Sequence, residues 1–347
     1  MTQPSSPRQT LSEPRLLHDL APHEFSSLTE PYRRELQAHC YRMLGALQDA
    51  EDLVQETLLR AWQRRETYAG RASLRIWLYK IATNLCLDTL ERRKRRTLPI
   101  VRQKAATLDE PIPPDVDEPI WLEPFPDALL PTAEMTPEAR FSMRENISLA
   151  FLVLLQQLPP RQRAVLTLRD VLDWQASEVA ELLELTVPAV KSLLFRARRT
   201  LAAQPHGVAL DDTRPVYPDS AMRALLERYT TAWEMADIDE LVTLLKEDAT
   251  FSMPPIPTWY QGRKTIGNLV AKTIFRGNAQ GRWRLQPTWA NGQVAFGLYR
   301  VGETAGVYHP YGIQVVKFEY MMIADITTFR VPALFPKFEL STILSSN

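Results

Sequence analysis

Between Ala105 and Ala139 the chain carries eight prolines and nine acidic residues, and not one lysine or arginine. Proline fixes φ and removes a backbone donor, so a stretch this dense is a connector and not a packed helix or interior strand. It divides the chain, and what folds must fold on either side of it. The 347 residues leave room for two or three compact units. The divider is not uniformly polar. Trp121, Leu122, Phe125 and Leu129 are too apolar for a solvated tether and are expected to dock against a folded part.

Three helical patterns lie between Pro31 and Arg96. In the second, Leu53, Val54, Thr57, Leu58, Ala61 and Trp62 recur at helical spacing, with Asp49 at the expected N-cap. The third begins near Ser73 after a turn at Tyr68-Ala69-Gly70. Its stripe is Leu74, Trp77, Leu78, Ile81, Ala82 and Leu85, and it ends in the basic run Arg92 to Arg96. Aromatic side chains (Tyr68, Trp77, Tyr79), the amide of Asn84 and a basic end suit unstacked bases. Core packing is an equal reading for Trp77, and a charged helix end is one for the basic run.

The segment 136–204 opens with Thr136-Pro137, a cap followed by proline at N1. Two short patterns, SEVAELL and VPAVKSLLFRARRTL, are joined by Glu184-Leu185-Thr186, as in a helix-turn-helix. On the second helix Lys191, Ser192, Phe195, Arg196 and Arg199 share one broad face without an acidic residue, while Val190, Leu194 and Leu201 face the core. Such a face suits guanine edges and phosphates. Residues 205–218 read as another linker. From 219 to 347 the class changes to α+β: helices at 219–236, 238–246 and 262–275 precede strands at WRLQPTWA, GQVAFGLYRV, YGIQVVKFEY and MMIADITTFRV, which can curl into a cone.

Lysine plus arginine equals aspartate plus glutamate at 41 each, so any nucleic-acid field must come from local clustering. Two cysteines, Cys40 and Cys86, make no disulfide framework and suit a reducing cytoplasm. No apolar run approaches a membrane span, and no Walker loop, GxGxxG or Cys/His zinc spacing is present. Neither cofactor nor metal is expected. Residues 1–27 read as a disordered tail.

The block DAEDLVQETLLRAWQRRETYAGRASLRIWLYKIATNLCLDTLERRKRR resembles region 2 of the extracytoplasmic-function group of sigma-70 factors. LPPRQRAVLTLRDVLDWQASEVAELLELTVPAVKSLLFRARRTL resembles their region 4. The acidic linker stands where these factors lack a folded region 3. The segment LLERYTTAWEMADIDELVTLLKEDATFSMPPIPTWYQGRKTIGNLV resembles the SnoaL-like domains of the NTF2-like fold, appended in the sigma-G/sigma-J-like branch; WLEPFPD resembles the linker of that branch.

The resemblance implies a multidomain architecture: an all-α region 2 (28–98), the linker (99–135), an all-α region 4 (136–204) and an NTF2-like cone (219–347). It implies that Asp49, Asp52, Gln55 and Glu56 face the β′ clamp helices of RNA polymerase, with region 4 at the β flap. Tyr68, Arg71, Ser73 and Asn84 would receive a flipped base of the −10 element, with Trp77, Tyr79, Arg92 and Arg93 alongside. Lys191, Ser192, Phe195, Arg196 and Arg199 would meet the −35 element. The sequence departs from the pattern at Glu184, where the turn often has glycine, at Gln175, where serine usually caps, and at Leu193, where some relatives are basic. In the cone, Tyr229, Trp233, Met253, Trp259, Tyr260, His309 and Asp325 are pocket candidates for a small molecule, with no catalytic residue expected. Two other readings stay open: a ligand-responsive helix-turn-helix regulator, and a SnoaL-class enzyme with a DNA-binding appendage. The C-terminal unit is expected to regulate through intramolecular contact with the apolar island or region 4.

Overall fold

The computed structural model describes residues 17–345, apart from 69, 71, 117–119, 132–141, 144 and 204–219. Thr136-Pro137, Arg71 and the 205–218 linker thus lie outside the described residues.

The N-terminal unit is built from α1 (Pro22–Thr29), α2 (Arg33–Leu44), α3 (Leu47–Gln63) and α4 (Leu74–Arg92). Helix α1 starts inside the stretch read from sequence as tail, because Phe25 buries its ring edge-on to Trp62 at 5.4 Å. Helix α2 ends at Gly45 in the left-handed region (φ 75°), which lets the chain reverse directly into α3. Cys40 and Cys86 are both buried and free.

The second unit is α5 (Leu149–Gln157), α6 (Pro160–Leu166), α7 (Ala176–Leu183) and α8 (Val187–Ala202). It packs on the first, with α6 and α7 against α4 and α5 against α2. Two fully buried arginines cross this contact. Arg42 donates through Nε to the carbonyl of Asn146 at 3.0 Å. Arg163 donates to the carbonyl of Met43 and, at 2.6 Å, to Gln156 Oε1. Burial lowers both guanidinium pKa values, to about 10 for Arg42 and about 9 for Arg163.

The C-terminal unit has α9 (Ser220–Met235), α10 (Ile238–Leu244), β1 (Leu245–Ser252), β2 (Trp259–Gln261), α11 (Arg263–Lys272), β3 (Trp283–Ala290), β4 (Gln293–Val301), β5 (Val307–Glu319) and β6 (Met322–Phe329). The sheet runs β2-β1-β6-β5-β4-β3, and a short strand at Leu344–Ser345 pairs with β5. Only the β1–β6 pair in this order is parallel. Because side chains alternate across a strand, the sheet has two apolar faces. Phe251, Phe296, Leu298, Val316 and Ile326 meet the helices on one face. Ala295, Tyr299, Ile313, Val315 and Phe329 on the other join a core continuous with the helical units.

Between the units runs the proline-rich segment. Its island is buried, with Phe125 fully enclosed and Leu122 nearly so. Thr97 and Trp121 form a β-bridge, and Pro126 bridges Ala290 of the C-terminal sheet.

Candidate functional site

Helix α8 is capped by Thr186, whose hydroxyl accepts from the amide of Ala189 at 3.3 Å, and it carries Pro188 in its first turn. Val190, Leu194 and Ala197 are buried. Lys191, Ser192, Phe195, Arg196 and Arg199 are all exposed on the remaining surface, with Phe195 65% accessible. Leu193 is half-buried. Arg198 is held by Asp170 at 2.7 Å and so stands apart from that group. The turn before α8 places Glu184 at φ 55°, the conformation glycine tolerates best. Its carboxylate meets Lys80 of α4 at 3.0 Å, linking the turn to the first unit. Gln175 precedes α7 without a serine hydroxyl, and Glu178 reaches back to its amide at 2.7 Å.

In the first unit Ser73 caps α4, accepting from the amide of Ile76 at 3.3 Å. Tyr68 lies against Trp77 at 5.2 Å and donates to the carbonyl of Ala72 at 2.8 Å. Asn84 and Arg92 are exposed. Tyr79 is not available: it is fully buried, its ring 5.0 Å from His39 and 4.9 Å from Trp174 of the second unit. Arg75, paired with Glu35 at 2.8 Å, lies over the same two rings, Tyr79 and Trp174. The expectation that Tyr79 faces a DNA strand therefore fails in this arrangement.

On α3, Asp52 and Gln55 are exposed, and Glu56 pairs with Arg60 at 2.6 Å. Asp49 is neither the N-cap nor a solvent-facing contact. The helix begins at Leu47, two residues earlier, and Asp49 is clamped by Arg93 at 2.6 Å and Arg96 at 2.7 Å. Burial pushes its carboxyl up, but donation from both arginines outweighs this and holds it below the usual carboxylate range. Arg93 is thereby occupied as well.

The pocket candidates do not converge. Tyr229 and Trp233 are core residues: the Tyr229 hydroxyl donates to Gln314 Oε1 at 2.6 Å, and Trp233 stands edge-on to Phe275 and Trp283. Met253 and Tyr260 line a cavity of about 10 Å³, room for one water, with Ile112 of the linker on its wall. Trp259 donates through Nε1 to the carbonyl of Gln103 at 2.8 Å. His309 is exposed. Asp325 projects from the opposite face of β6 to Thr328 and Ile326; it accepts from Thr250 at 2.5 Å and from Thr327 at 2.9 Å. Burial raises its pKa against those two hydrogen bonds. Among the described residues no cluster of three His, Cys, Asp or Glu is placed to hold a metal. No described helix is long and apolar enough to cross a membrane.

Three side chains that join the units escaped the sequence reading. Trp174 packs against Tyr79 and Arg75 across the contact between the helical units. Glu123 accepts from the amide of Leu47 at 2.9 Å. Asn291 is buried at the β3–β4 turn and makes hydrogen bonds to Phe125, Tyr41 and Ile147. The pair Asn291-Gly292 between two alternating strands is a hairpin signal, but nothing local announces what else its amide holds.

Residues 28–96 match Sigma-70 region 2, residues 148–201 match Sigma-70, region 4, and residues 226–328 match a SnoaL-like domain. The ECF RNA polymerase sigma factor SigG of Mycobacterium tuberculosis is 45% identical over 91% of this chain and 84% of its own length. This chain belongs to the extracytoplasmic-function sigma factors. SigJ of the same organism is 33% identical over 64% of this sigma factor and 62% of itself. The crystal structure of SigJ shares the fold, with a TM-score of 0.55 at 22% identity over 91% of this chain and 99% of that one. The all-α units are thus sigma regions 2 and 4, and the cone is the SnoaL-like domain.

Proposed function

We propose that this sigma factor binds core RNA polymerase in the cytoplasm and directs it to promoters with −10 and −35 elements, and that the structure described is its polymerase-free, closed form. The observation that carries the reading is the pairing of an open α8 surface with a covered region 2. Lys191, Ser192, Phe195, Arg196 and Arg199 stand exposed and suited to a major groove. Tyr79, by contrast, lies under Trp174 of region 4. Regions 2 and 4 then separate when the −10 strand is captured. Asp52, Gln55 and Glu56 are the α3 contacts we assign to the β′ clamp helices, and Tyr68, Arg71, Ser73, Trp77, Asn84 and Arg92 the groups we assign to the −10 element; region 4 is the part assigned to the β flap.

The SnoaL-like domain acts as a regulatory brace. Lys337 pairs with Glu51 of α3 at 2.7 Å, beside the proposed clamp contacts. The cone interior is filled by its own aromatic side chains, which favours a scaffold over catalysis or a small-molecule pocket. The test is reconstitution. The full chain and its Trp174→Ala variant are mixed with core polymerase and assayed for co-elution and for initiation on DNA from upstream of the chain's own gene. Co-elution with specific initiation, faster in the variant, is expected; failure to associate with core would sink the reading.

A further inference from the structure

The N-cap position of α3 is Ala46, which has no side-chain acceptor to offer. The first amides of a helix need acceptors, and an unserved first turn frays. Here the acceptor arrives from 76 residues away: Glu123 Oε2 takes the amide of Leu47 at 2.9 Å and reaches that of Gln48 at 3.4 Å. A carboxylate at this end also meets the positive pole of the helix. Its seat is specific. The Glu123 amide donates to the carbonyl of Gly45 at 3.0 Å, and a Cβ on Gly45 would fall 2.5 Å from Leu122 Cδ2. Glycine at the end of α2, at φ 75°, lets the linker lie this close without strain.

The cap is tied in turn to the SnoaL-like domain. Asn291 sits at φ 56° in the β3–β4 turn and exchanges two hydrogen bonds with Phe125, each 2.9 Å: its amide to the Phe125 carbonyl, and the Phe125 amide to its Oδ1. Its Nδ2 donates to the Tyr41 hydroxyl at 2.9 Å and to the Ile147 carbonyl at 2.8 Å. Tyr41 donates onward to the carbonyl of Glu123 at 2.6 Å. A continuous line of hydrogen bonds runs from the C-terminal hairpin to the residue that caps α3.

We propose that Glu123 is a positioning residue, a cap delivered by the linker to the first turn of α3, and that the SnoaL-like domain holds it there through Asn291 and Tyr41. The proposal rests on reading α3 as the polymerase-facing helix; what it adds is the route by which a distant domain sets that helix.

The experiment is amide hydrogen exchange on the full-length chain, read at Leu47 and Gln48, with core-polymerase affinity measured separately. Glu123→Ala speeds exchange there by about five- to tenfold, the scale of a lost cap. Glu123→Gln keeps an acceptor oxygen and stays within about twofold of the parent. Tyr41→Phe removes the relaying hydroxyl. Asn291→Asp keeps a residue suited to the turn, but replaces the Nδ2 donor with an acceptor that draws the Tyr41 proton away from Glu123. Both speed exchange at Leu47 and Gln48 while amides in β4 and β5 stay protected, which shows that the domain itself remains folded. Parent-like exchange at Leu47 and Gln48 in both of these variants overturns the relay, and parent-like exchange in Glu123→Ala overturns the cap. Accelerated exchange with unchanged core affinity supports the relay and overturns the polymerase-facing reading of α3.

Discussion

His39 on α2 is fully buried, with Nε2 2.9 Å from the Thr83 hydroxyl. Burial, then the nearby charges of Arg42 and Arg75, lower its pKa to about 3. A histidine held neutral in the folded state binds its proton only on unfolding, so below about pH 6.5 stability falls by about 1.4 kcal/mol per pH unit until the pH nears 3. Chemical denaturation across that range, compared with His39→Gln, isolates the slope; parallel curves would remove this histidine from the account. Asp49 acts in the same direction, because a carboxyl held low by Arg93 and Arg96 contributes stability above its unfolded pKa and loses it as pH falls through the folded value. On α8, Arg196→Ala should weaken binding to −35 duplex by about 1–3 kcal/mol if the guanidinium reads a base. A loss that is uniform across promoter variants would assign it to phosphate instead. The exposure of residues such as Arg196 was legible because a basic side chain on an acid-free amphipathic helix needs no tertiary knowledge. Asp49 was misread because its partners sit 44 and 47 positions away.

Elements were legible wherever period and punctuation agreed. The helix-turn-helix, the four long strands and the C-terminal helices follow from apolar spacing and turn residues alone. Strands β1 and β2 do not show in the sequence pattern, because LKEDATFS carries three charges and WYQ is too short to show alternation. The sharpest local conflict is Glu184, a side chain in the left-handed region at the end of α7. Glu184→Gly removes strain of about 1 kcal/mol and gives back part of it through the looser unfolded chain. The Lys80 pair it deletes is largely exposed and contributes little. A small rise in Tm is expected; a fall would mean the Lys80 contact fastens region 4 more firmly than its exposure suggests. At the element interface, Trp174→Ala empties a buried site against Tyr79 and Arg75 and should cost about 3–5 kcal/mol. Exchange protection in α4 should drop with it.

At the scale of the molecule, the two sigma regions, the linker and one face of the C-terminal sheet share a single apolar core. A chain of this length packed as one body has a radius of gyration of about 20 Å. Small-angle scattering of the polymerase-free protein should lie near that value. A far larger value would mean that the units are strung out in solution. The apolar island of the linker was legible as a docking segment, and Trp121, Leu122 and Phe125 are buried. Its contact with the C-terminal unit was among the expectations, but the residue that receives it was not legible, since Phe125 and Asn291 lie 166 residues apart.

The buried hairpin tip carries one more implication, set in covalent chemistry. In an Asn-Gly sequence the following backbone nitrogen readily attacks the side-chain carboxamide, expelling ammonia and leaving aspartate or isoaspartate after hydrolysis. In the closed form the amide of Gly292 donates to Asp127 at 2.8 Å and the Asn291 carboxamide is enclosed, so ring closure is suppressed. Were core polymerase to release the hairpin, that protection would be lifted, and a deamidated tip could no longer donate to Ile147. Peptide mass spectrometry of aged samples should find isoaspartate at 291 accumulating faster with core polymerase than without it; equal rates would mean that the tip stays enclosed throughout. The joint would then age in proportion to use, and a molecule opened often enough would lose the means to close.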